Sequence, residues 1–153
     1  MVRKIQLQCI VYRKNNDEIE YLLLKRIPEK GSFWQPPCGG MKNTDKNLLY
    51  ASLRELKEEI NLDKKDIIKI HEKIHHFSYN KHYLTAKPIP KIDEFVYGFE
   101  ISKSTKIDIT KNPSNEHDKF KWVPFNIAIE MLKWKDNKNS LKKLNSILEN
   151  KDL

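Results

Sequence analysis

The sequence predicts an α+β fold, a mixed β-sheet layered between helices. Two segments, residues 3–13 and 91–102, alternate apolar and polar side chains with the two-residue period of a strand. Between them Leu49, Leu53, Leu56 and Ile60 recur at i, i+4, i+7 and i+11, the spacing of a buried helical stripe. The chain then turns amphipathic again toward its end, so strands, a helix, more strands and closing helices follow one another.

In order, Ile5, Leu7, Cys9 and Val11 form the apolar face of a half-buried strand, with Gln6 and Gln8 opposite. Asn15-Asn16-Asp17 reads as a turn, and the apolar run Ile19 to Arg26 as a central strand paired to the first in a hairpin. Residues 28–35 form a loop ending in Phe33-Trp34, an aromatic pair placed either to stack on a base or to pack on the core. Pro36-Pro37-Cys38-Gly39-Gly40 reads as a tight turn and not as regular structure, and Thr44 or Asp45 as the cap of the helix that follows. Residues 67–79 read as a strand carrying His71, His75 and His76, which lack the spacing of a zinc site. Tyr79 to Tyr83 is a polar, aromatic and basic loop, and residues 91–102 are a strand with Phe95, Tyr97 and Phe99 on one face. A long polar loop over 104–118 leads into a strand at 119–123, with Pro124 in the first turn of a helix over 125–134 and a last helix over 139–148.

A chain of 153 residues, 39% hydrophobic and 33% charged, is expected to be one domain spanning 1–153. No apolar run approaches the roughly 20 residues of a membrane span, and the N-terminal MVRKIQLQC has no secretory core. Two cysteines without a CxxC motif read as free thiols, which predicts a cytoplasmic location. The formal charge of +8 favours polyanionic partners, nucleotides or RNA, although the same lysine, asparagine and isoleucine bias accords with an AT-rich genome.

The segment with most chemistry is GGMKNTDKNLLYASLRELKEEINL, residues 39–62. On a helix Glu55 neighbours Glu58 (i+3) and Glu59 (i+4), so the three share one flank at a cost of roughly 0.2–0.5 kcal/mol per like-charged pair. A divalent cation relieves that repulsion, since hard cations take carboxylate oxygens; a solvated acidic face is the plainer alternative. Set on Gly40, the segment resembles the signature of the Nudix hydrolases: Gly, five residues, Glu, seven residues, then Arg-Glu-apolar-x-Glu-Glu-x-Gly-apolar. Arg54, Glu55, Leu56, Glu58, Glu59 and Leu62 match it, while Lys46 replaces the first Glu and Asn61 replaces the second Gly.

The resemblance implies an α/β/α sandwich with a mixed central sheet, and Mg²⁺- or Mn²⁺-dependent hydrolysis of a nucleoside diphosphate linked to another group. It implies that Glu58 and Glu59 are metal ligands, that Glu55 is a ligand or the general base, and that the Gly39 carbonyl is a main-chain ligand. Arg54 is expected to orient the acids. Glu116, ahead of the Trp122 strand, is expected to add a carboxylate from the late loop, with Asp118 as its neighbouring alternative. Lys46 is expected to weaken the metal site, a cation at a helix N-terminus costing roughly 0.3–1 kcal/mol, whereas Asn61 suits the left-handed helix end. The candidate substrate-binding residues are Arg26, Phe33, Trp34 and Tyr79. The whole chain is most similar to pyrophosphohydrolases of (deoxy)nucleoside and dihydroneopterin triphosphates, through Phe33-Trp34-Gln35, Glu116-His117…Lys121-Trp122 and Trp134…Asn137-Lys138. Tyr79 also falls near a tyrosine of dinucleoside polyphosphate hydrolases, which keeps those, and RNA 5′-end hydrolases, as the alternative. A catalytically weak nucleotide- or RNA-binding module is the alternative of another class. The expected partner is a small nucleotide rather than RNA, with no membrane, in a monomer or homodimer.

Overall fold

The computed structural model describes residues 4–150; Arg3, where the first strand was expected to begin, and the remaining ends of the expected 1–153 unit lie outside the described residues. β1 (Lys4–Asn15) and β2 (Glu18–Arg26) form the expected hairpin, with Tyr12 opposite Tyr21 and Asn15 opposite Glu18. Asn16 takes a φ of 60° in the turn, a left-handed conformation that Asn adopts readily. β6 (Pro88–Ile101) runs parallel to β1, with Lys4 opposite Ile92 and Arg13 opposite Ile101, and this pairing makes the sheet mixed. β5 (Ile67–Lys81) pairs antiparallel to β6, and β7 (His117–Pro124) antiparallel to β2.

Helix α1 (Leu48–Ile60) covers one face of the sheet, packing Ala51, Leu56 and Ile60 on Leu7, Cys9, Val11, Tyr97 and Phe99. Helices α2 (Phe125–Met131) and α3 (Lys135–Glu149) cover the other, packing Ala128, Leu141, Leu144 and Leu148 on Ile10, Tyr12, Leu23 and Val96. The expected half-burial of β1 is therefore corrected. Helices lie on both faces, so Gln8 and Tyr12 are as buried as Leu7 and Val11.

The Pro36–Gly40 segment is also corrected. β3 (Trp34–Gln35) pairs with Leu24 and Lys25 of β2, and β4 (Cys38–Gly40) pairs with Gln6 to Gln8 of β1. The Cys9 N–H donates to the Pro37 carbonyl, so only the two prolines between the short strands act as the turn. Beyond Tyr12 and Tyr21 the partners of the hairpin change: β1 goes on with β4, and β2 with β3. Residues 34–40 thus run inside the opening between β1 and β2, which sets a cleft there.

Neither Thr44 nor Asp45 caps α1: Asn47 does, its side chain accepting from the Tyr50 N–H. Asn61 ends α1 at a φ of 57°, its N–H turning back to the Leu56 and Lys57 carbonyls. Pro124 is the residue before α2 rather than within its first turn, and α2 stops at Met131 because Leu132 leaves it to bridge to Trp34. α3 begins at Lys135, earlier than the expected 139.

Candidate active site

The acidic flank of α1 faces β4. Glu55 and Glu59 are buried, and Glu58 is 38% exposed at its side chain. The Glu55 carboxyl lies so close over Gly39 that a Cβ there would strike it, so the glycine is required by close approach. Arg54 ties the cluster together. Its Nε and Nη2 donate to the two oxygens of Asp45, both at 2.8 Å, and Nη2 also donates to the Gly40 carbonyl at 2.9 Å. Its Nη1 donates to Glu55 at 3.0 Å and Glu58 at 3.1 Å. All five guanidinium N–H groups are thereby engaged, which leaves none for a substrate.

Asp45 answers the Lys46 departure. Its side chain is fully buried in a two-pronged pair with Arg54, whose hydrogen bond holds its pKa down. Lys46 is exposed and precedes the Asn47 cap. An acid does stand beside Arg54, one residue earlier than the signature places it.

Glu59 differs from its neighbours. It takes a main-chain hydrogen bond from Cys38, yet its Oε2 is buried with no partner among the described residues. Burial is the main force raising the pKa of both Glu55 and Glu59. For Glu59 the Glu55 and Glu116 charges add to it; for Glu55 the Arg54 interactions oppose it. Glu116 lies at the end of the late loop: its carbonyl accepts from the Ile27 N–H at 3.0 Å, and its carboxylate lies 3.6 Å from Arg26. Asp118 is exposed. Among the described residues no three side chains already form a finished metal cage, and Arg54 bonds one oxygen each of Glu55 and Glu58. The donor set nonetheless fits a hard divalent cation: of the three carboxylates on one flank, Glu55 and Glu58 share a single arginine and Glu59 keeps a buried unpartnered oxygen.

On the other side of β4 the opening between β1 and β2 holds a cavity of about 240 Å³, lined by Gln6, Arg26, Phe33, Gln35, Cys38, Phe77, Tyr79, Lys81, Tyr83, Glu94, Trp134, Asp136 and Asn137. Phe33 stands edge-on to Tyr83 and Trp134, at ring-centroid distances of 5.5 and 5.4 Å. Arg26 lies over both Phe33 and Tyr83, and its Nε is buried without a partner among the described residues. The structure thus brings Arg26, Phe33 and Tyr79 to the cavity and leaves Trp34 out of it. Trp34 packs toward α2 with Lys121 over its ring. The alternation of side chains on β3 explains this, since Phe33 and Gln35 face one way and Trp34 the other. Of the histidines, His71 bonds Tyr12 at 2.7 Å and His76 stacks on Phe95. His117 is buried against Gln35, and burial lowers its pKa to about 4.

Sequence reasoning passed over Glu94. It is buried in the cavity wall, accepting from Gln8 Nε2 at 2.7 Å and from the Tyr79 hydroxyl at 3.3 Å, and burial raises its pKa to about 7. It alternates with Phe95, Tyr97 and Phe99 on its strand, and nothing local in the sequence marks it, because its neighbour Gln8 comes from a strand more than eighty residues away.

The model of the NUDIX domain family matches residues 4–144. The chain belongs to the Nudix family. It is a Nudix-type pyrophosphohydrolase, an enzyme class that works with divalent metal. It is 27% identical over 139 residues to the asymmetrical bis(5′-nucleosyl)-tetraphosphatase of Caenorhabditis elegans, covering 91% of this chain and 92% of that one. A Nudix hydrolase structure from Listeria monocytogenes superposes with a TM-score of 0.80 at 27% identity, covering 97% and 96% of the two chains. The dihydroneopterin triphosphate pyrophosphohydrolase of E. coli shares the fold, with a TM-score of 0.74 at 18% identity over 94% and 97%. No helix among the described residues is long and apolar enough to cross a membrane.

Proposed function

We propose that this Nudix hydrolase cleaves a nucleoside-triphosphate-like substrate to the monophosphate and pyrophosphate, using Mg²⁺, as a single Nudix unit in the cytoplasm. The observation that carries this reading is the junction at β4. On one side stands the surplus of carboxylates around Arg54, and on the other an aromatic cleft bearing Arg26, with Cys38 and Gly39 between them.

Glu55, Glu58, Glu59 and the Gly39 carbonyl would hold the metal, with Glu116 beside them, and the bound ion would neutralise phosphate oxygens and acidify the attacking water. The chain's own part is positional and protonic. Phe33, Tyr83 and Trp134 offer flat walls to a base, worth about 1–3 kcal/mol per stacked base. Arg26, with a free donor, meets phosphate where the cleft joins the acidic flank. Glu55, whose proton affinity burial raises, is placed to take a proton from water, and Glu116 is the second candidate for that task. Arg54 keeps the acids in place.

A second reading, an asymmetrical dinucleoside polyphosphate hydrolase, is favoured by the Caenorhabditis elegans relative, which aligns over 91% of this chain. The test is a screen of nucleoside triphosphates, dihydroneopterin triphosphate and dinucleoside tetraphosphates with and without Mg²⁺, followed by product analysis. Monophosphate with pyrophosphate supports the first reading, and monophosphate with the remaining nucleoside polyphosphate the second. Tight nucleotide binding without Mg²⁺-dependent turnover would make the protein a binding module.

A further inference from the structure

We propose that Glu94 selects bases presenting two adjacent N–H donors, the 2-amino-4-oxo edge shared by guanine and pterin, so that the cleft prefers those substrates over adenine nucleotides. The proposal rests on the hydrolase reading above. Glu94 is 5% exposed in the wall of the cleft, on the central part of the sheet. Among the described residues its carboxylate is bonded to neutral donors alone: Gln8 Nε2 takes one oxygen and the Tyr79 hydroxyl the other. A carboxylate accepts at about four lone-pair sites, and a buried charge left short of partners is costly. The capacity that remains borders a cleft whose walls, Phe33, Tyr83 and Trp134, are flat. A planar ring held there with its edge toward Glu94 meets two acceptors side by side.

The N1–H and 2-amino group of guanine, and the matching pair in pterin, satisfy both oxygens at once. Adenine offers an acceptor beside a donor on the corresponding edge, and its ring nitrogen would face a carboxylate oxygen with lone pair against lone pair. Sites built to bond a donor discriminate strongly against analogues without it, because the buried partner is left unpaired. The Gln8 amide is turned to donate to Glu94, and its own Oε1 is buried without a partner among the described residues, so the orientation is held for the carboxylate. Burial, the largest influence, lifts the Glu94 carboxyl to about 7, and assays at pH 8 keep it an acceptor.

The experiment compares kcat/KM for GTP, dGTP, ITP, ATP and dihydroneopterin triphosphate at pH 8 with Mg²⁺, in the wild type and in Glu94→Gln. It is paired with calorimetric titration of GMP and AMP into both proteins. The wild type should favour GTP or dihydroneopterin triphosphate over ATP by at least about thirtyfold, with ITP, which lacks the 2-amino group, in between. Glu94→Gln, whose amide sets a donor beside an acceptor, should lower the GTP value at least about tenfold while ATP holds or rises. Which of guanine and pterin is used faster names the source of the edge. Equal use of GTP and ATP by the wild type would overturn the proposal. So would a loss in Glu94→Gln shared equally by both nucleotides, or a preference between GTP and dGTP alone, which would assign Glu94 to the sugar. If no substrate is turned over, the hydrolase reading fails, and the titrations still decide: tighter GMP than AMP, lost in Glu94→Gln, supports the role of Glu94, and equal affinities sink it.

Discussion

The acidic flank of α1 and the cleft wall on β6 both bury carboxylates, and they differ in company. Around α1 one arginine is shared by Asp45, Glu55 and Glu58, and Glu59 has no part of it. Negative charge exceeds positive there, and the surplus calls for a further cation. On β6 Glu94 stands, among the described residues, without an acidic rival in bonding distance and is held by an amide and a phenol. That arrangement calls for neutral N–H groups. In the roles proposed above, similar burial serves metal binding in one place and base reading in the other, and the neighbours make the difference.

The largest effect expected from breaking this contrast is at Glu59. Glu59→Gln should lower kcat at saturating Mg²⁺ by at least about a hundredfold, roughly 2.7 kcal/mol of barrier. The metal-free Tm should hold or rise, because a buried carboxyl that is repelled by its neighbours and has one unpartnered oxygen is replaced. Near-normal kcat would take the residue out of the metal site.

Asp45→Ala should act on the fold and not on the rate, destabilising it by about 3 kcal/mol, since it leaves Arg54 without its buried two-pronged partner. The urea midpoint measures this, and a shift below about 1 kcal/mol would mean that the pair behaves as a surface one.

Gly39→Ala should displace the Glu55 carboxyl it would strike, with a fall in kcat of about tenfold, or 1.4 kcal/mol, and a raised Mg²⁺ requirement. Unchanged kinetics would show that Glu55 has room to retreat.

The cleft side is sharpened by pH. Burial lifts the Glu94 carboxyl from the ordinary 4.5 to about 7 in the folded protein, so the stability linked to its proton is present below 4.5 and lost as pH rises through 7. The Tm of metal-free wild type should therefore fall between pH 5 and 8 by several degrees, roughly as a change of 1–3 kcal/mol would produce. Glu94→Gln should fall less over the same range, and an identical fall in both proteins would place the titration elsewhere.

The smallest effect is expected at Lys46. Lys46→Glu should change the Mg²⁺ concentration for half-maximal activity by less than about threefold, the scale of a surface helix-end charge, because Asp45 already faces Arg54. A tenfold tightening would mean that the acid is wanted at the signature position itself.

Much of this protein follows from local rules that the sequence states outright. The 3.6-residue stripe through Leu49, Leu53, Leu56 and Ile60 placed Glu55, Glu58 and Glu59 on one flank. The two-residue alternation placed β1 and β6, and Asn15-Asn16-Asp17 placed the hairpin. These depend on residues a few positions apart. Asn61 belongs with them, since a left-handed helix end is a property of one residue.

What tertiary structure alone decided depends on segments far apart in the chain. The pairing of β1 with β6 crosses more than eighty residues, and only it shows that Gln8 and Glu94 are neighbours. Polar side chains on an alternating strand read as facing water, yet α2 and α3 fold back over the face that carries Ile10, Tyr12 and Val96, and Gln8 and Glu94 are buried too. Cys38 to Gly40 became a strand because β1 offered an unpaired edge where it parts from β2, against the turn preference of two prolines and two glycines. Phe33 entered the cleft and Trp34 left it by the parity of a strand two residues long, and Trp134 took the place across the ring. Asp45 reached Arg54 because the loop before α1 folds back over the helix flank. Periodicity reports which side of an element a residue occupies; what covers that side is set by the rest of the chain.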